Sequence, residues 1–155
     1  MRWPATLRNS KMKKLACIAM LTGFAAPAFA EAHVSGDVAN GEAQFDRQCV
    51  ACHVVRDNAG EVLAGRSAKA GPNLYGITGA QLGAAEGFRY GDSLKAAGAA
   101  ELVWTQDTFS AYVQDPTKWL RDALEDRRAR SKMGYKMRSE QEALDIYAYL
   151  LSLAE

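Results

Sequence analysis

Residues 49–53 read Cys49-Val50-Ala51-Cys52-His53, two cysteines separated by two residues, with a histidine directly behind the second. That spacing is the attachment site of a c-type haem. Each residue type has a job. The two thiols add to the two vinyl groups of the porphyrin as thioethers, and the spacing sets both sulfurs on one side of a helical turn, within reach of one porphyrin edge. The adjacent histidine then faces the iron and supplies an axial nitrogen. A zinc site would need four ligands, and the chain has no second cysteine pair and one other histidine, His33. A dithiol redox pair would need a βαβ setting, which the sequence lacks. The expected cofactor is one haem c, covalent through Cys49 and Cys52.

The N-terminus points to a compartment. Residues 12–30 begin Met12-Lys13-Lys14, continue as an apolar run from Leu15 to Phe24, and end Ala28-Phe29-Ala30. A charged start, an apolar centre and a small-x-small cleavage site make a secretory signal peptide. The expected division is residues 1–30 as a cleaved signal peptide and residues 31–155 as a single domain, exported to the periplasm. The apolar run is too short to cross a bilayer, so no membrane span is expected in the mature chain. Met12 is an alternative start. Cys17 has Lys14 where a lipidation motif wants an apolar residue, and it leaves with the leader.

Cleavage changes the charge. Five of the 19 basic residues (Arg2, Arg8, Lys11, Lys13, Lys14) lie in the leader, which leaves 14 against 18 acidic residues, a net −4. An acidic domain of this size argues against nucleic acid as a partner. Both remaining cysteines sit in the haem motif, so no disulfide can staple the domain, and burial of the covalent haem is expected to contribute to its stability.

The pattern downstream is helical and rich in loops. Asp37 can cap a helix from about Val38 to Cys52, with Val38, Phe45, Cys49 and Cys52 near one face. Gly41 falls on that face, where a missing side chain suggests close approach by another helix. Thr105 can cap a helix over Phe109–Gln114. Asp115-Pro116 restarts a helix with proline at its first position. Ser139 and Glu142 form a capping box for a C-terminal helix to Leu153, with two overlapping apolar rows. Residues 57–91 read as glycine- and alanine-rich loops, and no period-2 strand pattern stands out.

A six-coordinate iron needs a second axial ligand, usually Met or His. Of the five methionines, Met1, Met12 and Met20 belong to the leader, which leaves Met133 and Met137. His33 lies near the new N-terminus, where order is poor. Met133 sits in a basic loop, Arg130-Ser131-Lys132-Met133-Gly134-Tyr135-Lys136, and Gly134 gives it backbone freedom. Position alone favours Met133 and leaves Met137 open.

Over nearly the whole mature chain the sequence resembles the class I cytochromes c, of the bacterial cytochrome c2 and c550 type. Gly36-Asp37-Val38-Ala39-Asn40-Gly41 with Phe45 resembles the family's first helix, and Gly71-Pro72-Asn73-Leu74-Tyr75-Gly76 its proximal loop. Gly87-Phe88-Arg89-Tyr90 and Leu102-Val103-Trp104-Thr105 resemble segments around the haem propionates. Tyr112 with Asp115-Pro116, Ser131-Lys132-Met133-Gly134-Tyr135 and Ile146-Tyr147-Ala148-Tyr149-Leu150 resemble the distal helix, the methionine loop and the last helix. Each is weak alone; their order and spacing together are specific. The resemblance implies an all-α class I cytochrome c fold, helices and loops wrapped around one haem, with His53 and Met133 as iron ligands. It implies that the Pro72 carbonyl accepts a hydrogen bond from His53, that Tyr90 and Trp104 donate to a propionate, and that Tyr112 and Ser131 sit beside the Met133 sulfur. Ala80 and Leu94 depart from relatives that carry an arginine and a polar residue there, which touches the propionate and internal-water networks.

Iron with both axial positions filled has no place for a substrate, so an electron-transfer protein rather than an enzyme is expected. The resemblance implies a monomeric carrier between a cytochrome bc complex and a terminal cytochrome c oxidase or a photosynthetic reaction centre, in respiration or photosynthesis. The competing readings are a haem sensor or peroxidase that releases Met133, and the electron-accepting subunit of a periplasmic dehydrogenase. Arg127, Arg128, Arg130, Lys132, Lys136 and Arg138 cluster around the methionine loop. Ringing the haem edge, they would steer it toward acidic partners.

Overall fold

In the computed structural model, which describes residues 34–154, the chain forms five helices and one hairpin: α1 (Val38–Gln48), β1 (Val54–Arg56), β2 (Val62–Gly65), α2 (Asp92–Ala99), α3 (Gln106–Gln114), α4 (Pro116–Ala123) and α5 (Glu140–Ser152). The expected signal peptide lies outside the described residues. Helix starts follow the capping signals. Asp37, Thr105, Asp115 and Ser139 each accept a hydrogen bond from a first-turn amide. The Ser139–Glu142 capping box is half formed. Glu142 N donates to Ser139 Oγ at 3.2 Å, but the Glu142 carboxylate is taken by Gln48 Nε2 at 3.0 Å.

Two expectations need correction. Helix α1 stops at Gln48 rather than Cys52. The amides of Cys52 and His53 both turn back onto the Cys49 carbonyl, at 3.0 and 2.9 Å. The β-branched pair Val54-Val55 then takes the chain into an extended strand. The haem motif is therefore a turn between a helix and a strand. The second correction is that hairpin, whose second strand lies inside the stretch expected to be loop and whose first lies just ahead of it. β1 and β2 pair antiparallel with an irregularity at Val55/Arg56, around a turn in which Asp57 Oδ1 accepts from Glu61 N at 2.8 Å. Strands of three and four residues are too short to show an alternation. Helix α2, eight residues long, carries too short an apolar stripe to mark a helix in the sequence.

The core forms where α5 crosses α1 and packs on α3. Phe45 is fully buried, and its ring meets that of Tyr149 at 5.8 Å. Burying a phenylalanine contributes about 2–3 kcal/mol. Gly41 makes the crossing possible: a Cβ there would overlap the Asp145 carbonyl and come within 2.8 Å of Tyr149 Cβ. From α3, Phe109 meets Tyr147 at 5.7 Å, and Tyr147 Oη donates to the Trp104 carbonyl at 2.9 Å. This frame fixes the haem motif at the end of α1.

Asp145, on α5, is 2 % exposed and ties the two helices together. Its carboxylate accepts from Asp37 N at 2.9 Å, from Gln141 Nε2 at 2.9 Å and from Asn40 Nδ2. It thereby satisfies an amide at the start of α1. Burial pushes the carboxyl up, but the donors outweigh it, and the group sits below its ordinary value. A depressed carboxyl adds stability that is fully present above the unfolded pKa, about 3.9, and is lost as pH falls through the folded one. Asp145→Asn is expected to lower unfolding free energy by about 2–3 kcal/mol at pH 7. The deficit should shrink below about pH 4. Guanidinium titrations at both pH values check this, and a deficit that does not change with pH would rule it out.

Candidate haem site

Eight of the residues singled out in the sequence line one cavity of about 540 Å³: Cys49, Cys52, His53, Pro72, Tyr90, Trp104, Tyr112 and Met133. They come from the end of α1, the loops before α2 and α3, α3 itself, and the segment between α4 and α5. The volume lies in the range of cofactor pockets. The rest of the wall is largely apolar, with Leu74, Ile77, Phe88, Leu94, Phe109 and Val113. A thiol pair and an imidazole on the wall of such a cavity fit a haem.

On the histidine side, His53 Nδ1 lies 3.0 Å from the Pro72 carbonyl. A carbonyl only accepts, so Nδ1 carries the proton and Nε2 keeps its lone pair. Burial lowers the imidazole pKa, and the Pro72 bond works against that. Gly71 lies flat against the ring: a Cβ there would collide with the imidazole, 2.6 Å from Nδ1. Cys52 is exposed and Cys49 half-buried. Burial, and then the neighbouring Cys52, push the free Cys49 thiol up to about 12.

The methionine segment is held from α3 and α4. Tyr112 Oη and Ser131 Oγ are 2.8 Å apart, Met133 N donates to Ser131 Oγ at 3.0 Å, and Ser131 N donates to Thr117 Oγ1 at 3.2 Å. Burial pushes the Tyr112 phenol up, with the Ser131 bond opposing. Both Met133 and Met137 line the cavity. Met137 is 4 % exposed, and its amide donates to the Val113 carbonyl at 2.8 Å. It belongs to the core cluster, whereas Met133 packs against that cluster from its edge.

Aromatic rings build the remaining wall. Trp104 meets Tyr112 edge-on at 5.0 Å, and Tyr112 meets Trp119 at 5.7 Å. Tyr90 meets Phe88 at 4.9 Å, and its phenol is raised by burial. Of the basic cluster seen in the sequence, Arg130 and Lys132 line the cavity, while Lys136 and Arg138 line an adjoining groove. Arg127 and Arg128 are exposed outside both. Arg47 and Gln48 line both spaces and were not picked out from sequence. Their only signal was position, directly ahead of Cys49. No helix of the described residues is long and apolar enough to cross a membrane.

Comparison with known proteins agrees with this geometry. The family model described as Cytochrome c matches residues 38–154. Cytochrome c2 of Rhodovulum adriaticum is 58% identical over 120 residues, covering 77% of this chain and 94% of the relative. Cytochrome c-551 of Roseobacter denitrificans is 48% identical over 142 residues, covering 92% and 96%. The crystal structure of cytochrome c2 from Rhodobacter sphaeroides superposes with a TM-score of 0.75 at 44% identity, covering 77% of this chain and 98% of that one. The fold is thus that of the class I cytochromes c, built around a helical core to which the hairpin is a small addition. The chain belongs to the cytochrome c family: it is an electron carrier with one haem c bound covalently through Cys49 and Cys52, not an enzyme.

Proposed function

We propose that this cytochrome is a monomeric periplasmic one-electron carrier whose iron is bound by His53 and Met133. In this reading it shuttles electrons from a cytochrome bc complex to a terminal oxidase or a photosynthetic reaction centre. The observation that carries the ligation is that His53 and Met133 line one cavity, the His53 ring fixed by the Pro72 carbonyl and the Met133 backbone anchored through Ser131 to Tyr112. The leader-like residues 12–30 support the periplasm, and relatives named cytochrome c2 support the shuttle.

Bound haem supplies a one-electron ferric/ferrous couple. The chain does the rest. Donation from His53 Nδ1 to Pro72 holds the imidazole plane and raises the donor strength of Nε2. The Met133 thioether is a soft ligand that favours ferrous iron and so a high potential. With His53 and Met133 both holding the iron, a small molecule would have no access to it. Tyr90 and Trp104 offer O–H and N–H donors to the haem carboxylates, which would be costly to bury without them. The apolar wall would keep water from the bound group and so limit rearrangement on a change of its charge.

Charge at the cavity rim suits an acidic partner. Arg47, Arg130 and Lys132 line the cavity, and Lys136 and Arg138 stand beside it. Such a patch raises encounter rates with an oppositely charged surface and is screened by salt. The bimolecular rate of reduction by a purified bacterial cytochrome bc complex should fall at least tenfold between about 10 and 300 mM ionic strength. A rate that does not respond to salt would remove the steering, and a complex that does not reduce the protein at all would remove the shuttle.

A further inference from the structure

The segment between α4 and α5 has no regular secondary structure and lines the cavity through Arg130, Lys132, Met133, Gly134, Tyr135 and Met137. Its two ends are pinned. Residues 130–133 are held by Ser93, Thr117 and the Arg89 carbonyl, and Met137 by the Val113 carbonyl. Between them, among the described residues, the amides of Gly134, Tyr135 and Lys136 donate to no protein group. Nothing lies within 4 Å of a Cβ built on Gly134.

One side chain ties this segment to the end of α1. Tyr135, 43 % exposed, donates its hydroxyl to Gln48 Oε1 at 2.5 Å. Gln48 is the last residue of α1, next to the haem-bearing Cys49. Its amide is fully engaged, because Nε2 donates to Gln44 Oε1 at 2.7 Å and to Glu142 Oε2 at 3.0 Å. Gln44 is itself buried on α1, and Glu142 sits in the first turn of α5. The acceptor for Tyr135 is thus held by two helices, and its amide cannot turn over without losing both donated bonds. Lys136 adds an ion pair to Asp115 at 2.5 Å, but that pair points back to the α3–α4 side and is largely exposed.

We propose that Tyr135, Gln48 and Glu142 form a latch that closes the methionine segment over the haem cavity. The latch sets how often that segment opens, making Tyr135 a positioning residue for Met133. The part concerning Met133 rests on the proposed ligation; the latch itself does not.

The test uses the haem-loaded protein and Tyr135→Phe, which removes one hydroxyl and keeps the ring. Amide hydrogen exchange at Met133 and Met137 is expected to quicken about fivefold, the factor that one lost neutral hydrogen bond gives. Exchange across α3 should stay unchanged. Gln48→Leu should give the same result, and the double variant should add nothing, as for one shared interaction. Imidazole then serves as a probe of the ferric iron, and its binding should speed up by the same factor in each variant. Unchanged exchange at Met133 and Met137 in both single variants would overturn the latch. Quicker exchange with unchanged imidazole binding would keep the latch and overturn Met133 as the ligand it positions.

Discussion

Met133→Leu is expected to abolish the weak far-red absorption of the ferric holoprotein, the mark of an iron–thioether bond, while Met137→Leu keeps it. Both side chains line the cavity, so proximity alone does not separate them. Their backbones do. Met137 is tied to the Val113 carbonyl and sits in the core cluster among residues that would exist with or without a metal. Leucine conserves its volume, and such swaps cost less than about 1.5 kcal/mol. The Met133 amide is instead tied to Ser131, whose hydroxyl is shared with Tyr112 on the cavity wall. That arrangement fixes the Met133 backbone at the cavity through a hydrogen-bonded pair, with Met133 itself at the edge of the core cluster. Leucine at 133 leaves the iron one donor short, so the reduced variant should take up carbon monoxide readily while the wild type does not. Its potential should also drop, because the soft ligand that favours ferrous iron is gone. A band that survives Met133→Leu and vanishes in Met137→Leu would reverse the assignment. A wild-type protein without the band would remove methionine ligation altogether.

The haem site was legible in the sequence because its chemistry is local. Cys49, Cys52 and His53 are bound to fixed spacing by one porphyrin, and capping residues such as Asp37 and Ser139 act within one turn of themselves. Tyr90, Trp104, Tyr112 and Pro72 were reached through family resemblance, since no spacing rule links residues that meet only after folding. What stayed hidden follows the same division. The hairpin is too short to carry a period, and the end of α1 at Gln48 depends on a turn set by the strand after it. Gln48 looked like an ordinary helix residue, and its role appears only when Tyr135, far along the chain, reaches it. Glu142 looked like half of a capping box, and tertiary contact redirected its carboxylate to Gln48. For Glu142 a long-range polar partner displaced the local one, and for Gln48 it was added to the local bond with Gln44.

The largest loss of stability is expected from the smallest change, Gly41→Ala. Helix propensity alone predicts a gain, since alanine is favoured over glycine in a helix interior by about 1 kcal/mol. The crossing of α1 and α5 predicts the opposite. The added carbon would overlap the Asp145 carbonyl oxygen and stand 2.8 Å from Tyr149 Cβ. A backbone carbonyl inside α5 cannot swing aside as a flexible side chain could, so the two helices must separate. Separation loosens Phe45 from Tyr149 and lengthens the bonds from Asp37 and Asn40 to Asp145. Overpacking of a close contact costs about 1–3 kcal/mol, and more where polar bonds are strained with it. A net loss of about 3 kcal/mol or more is expected, a large part of the 5–15 kcal/mol typical of a domain. That corresponds to a midpoint lower by roughly 10 °C. Gly134→Ala is the comparison, since no protein atom crowds a Cβ there and its φ is not left-handed; it should lose far less stability than Gly41→Ala. Thermal and guanidinium unfolding of the ferric holoproteins, followed by helical circular dichroism, measures both. A neutral or stabilised Gly41→Ala protein would mean that propensity wins and that the helices can part at little cost.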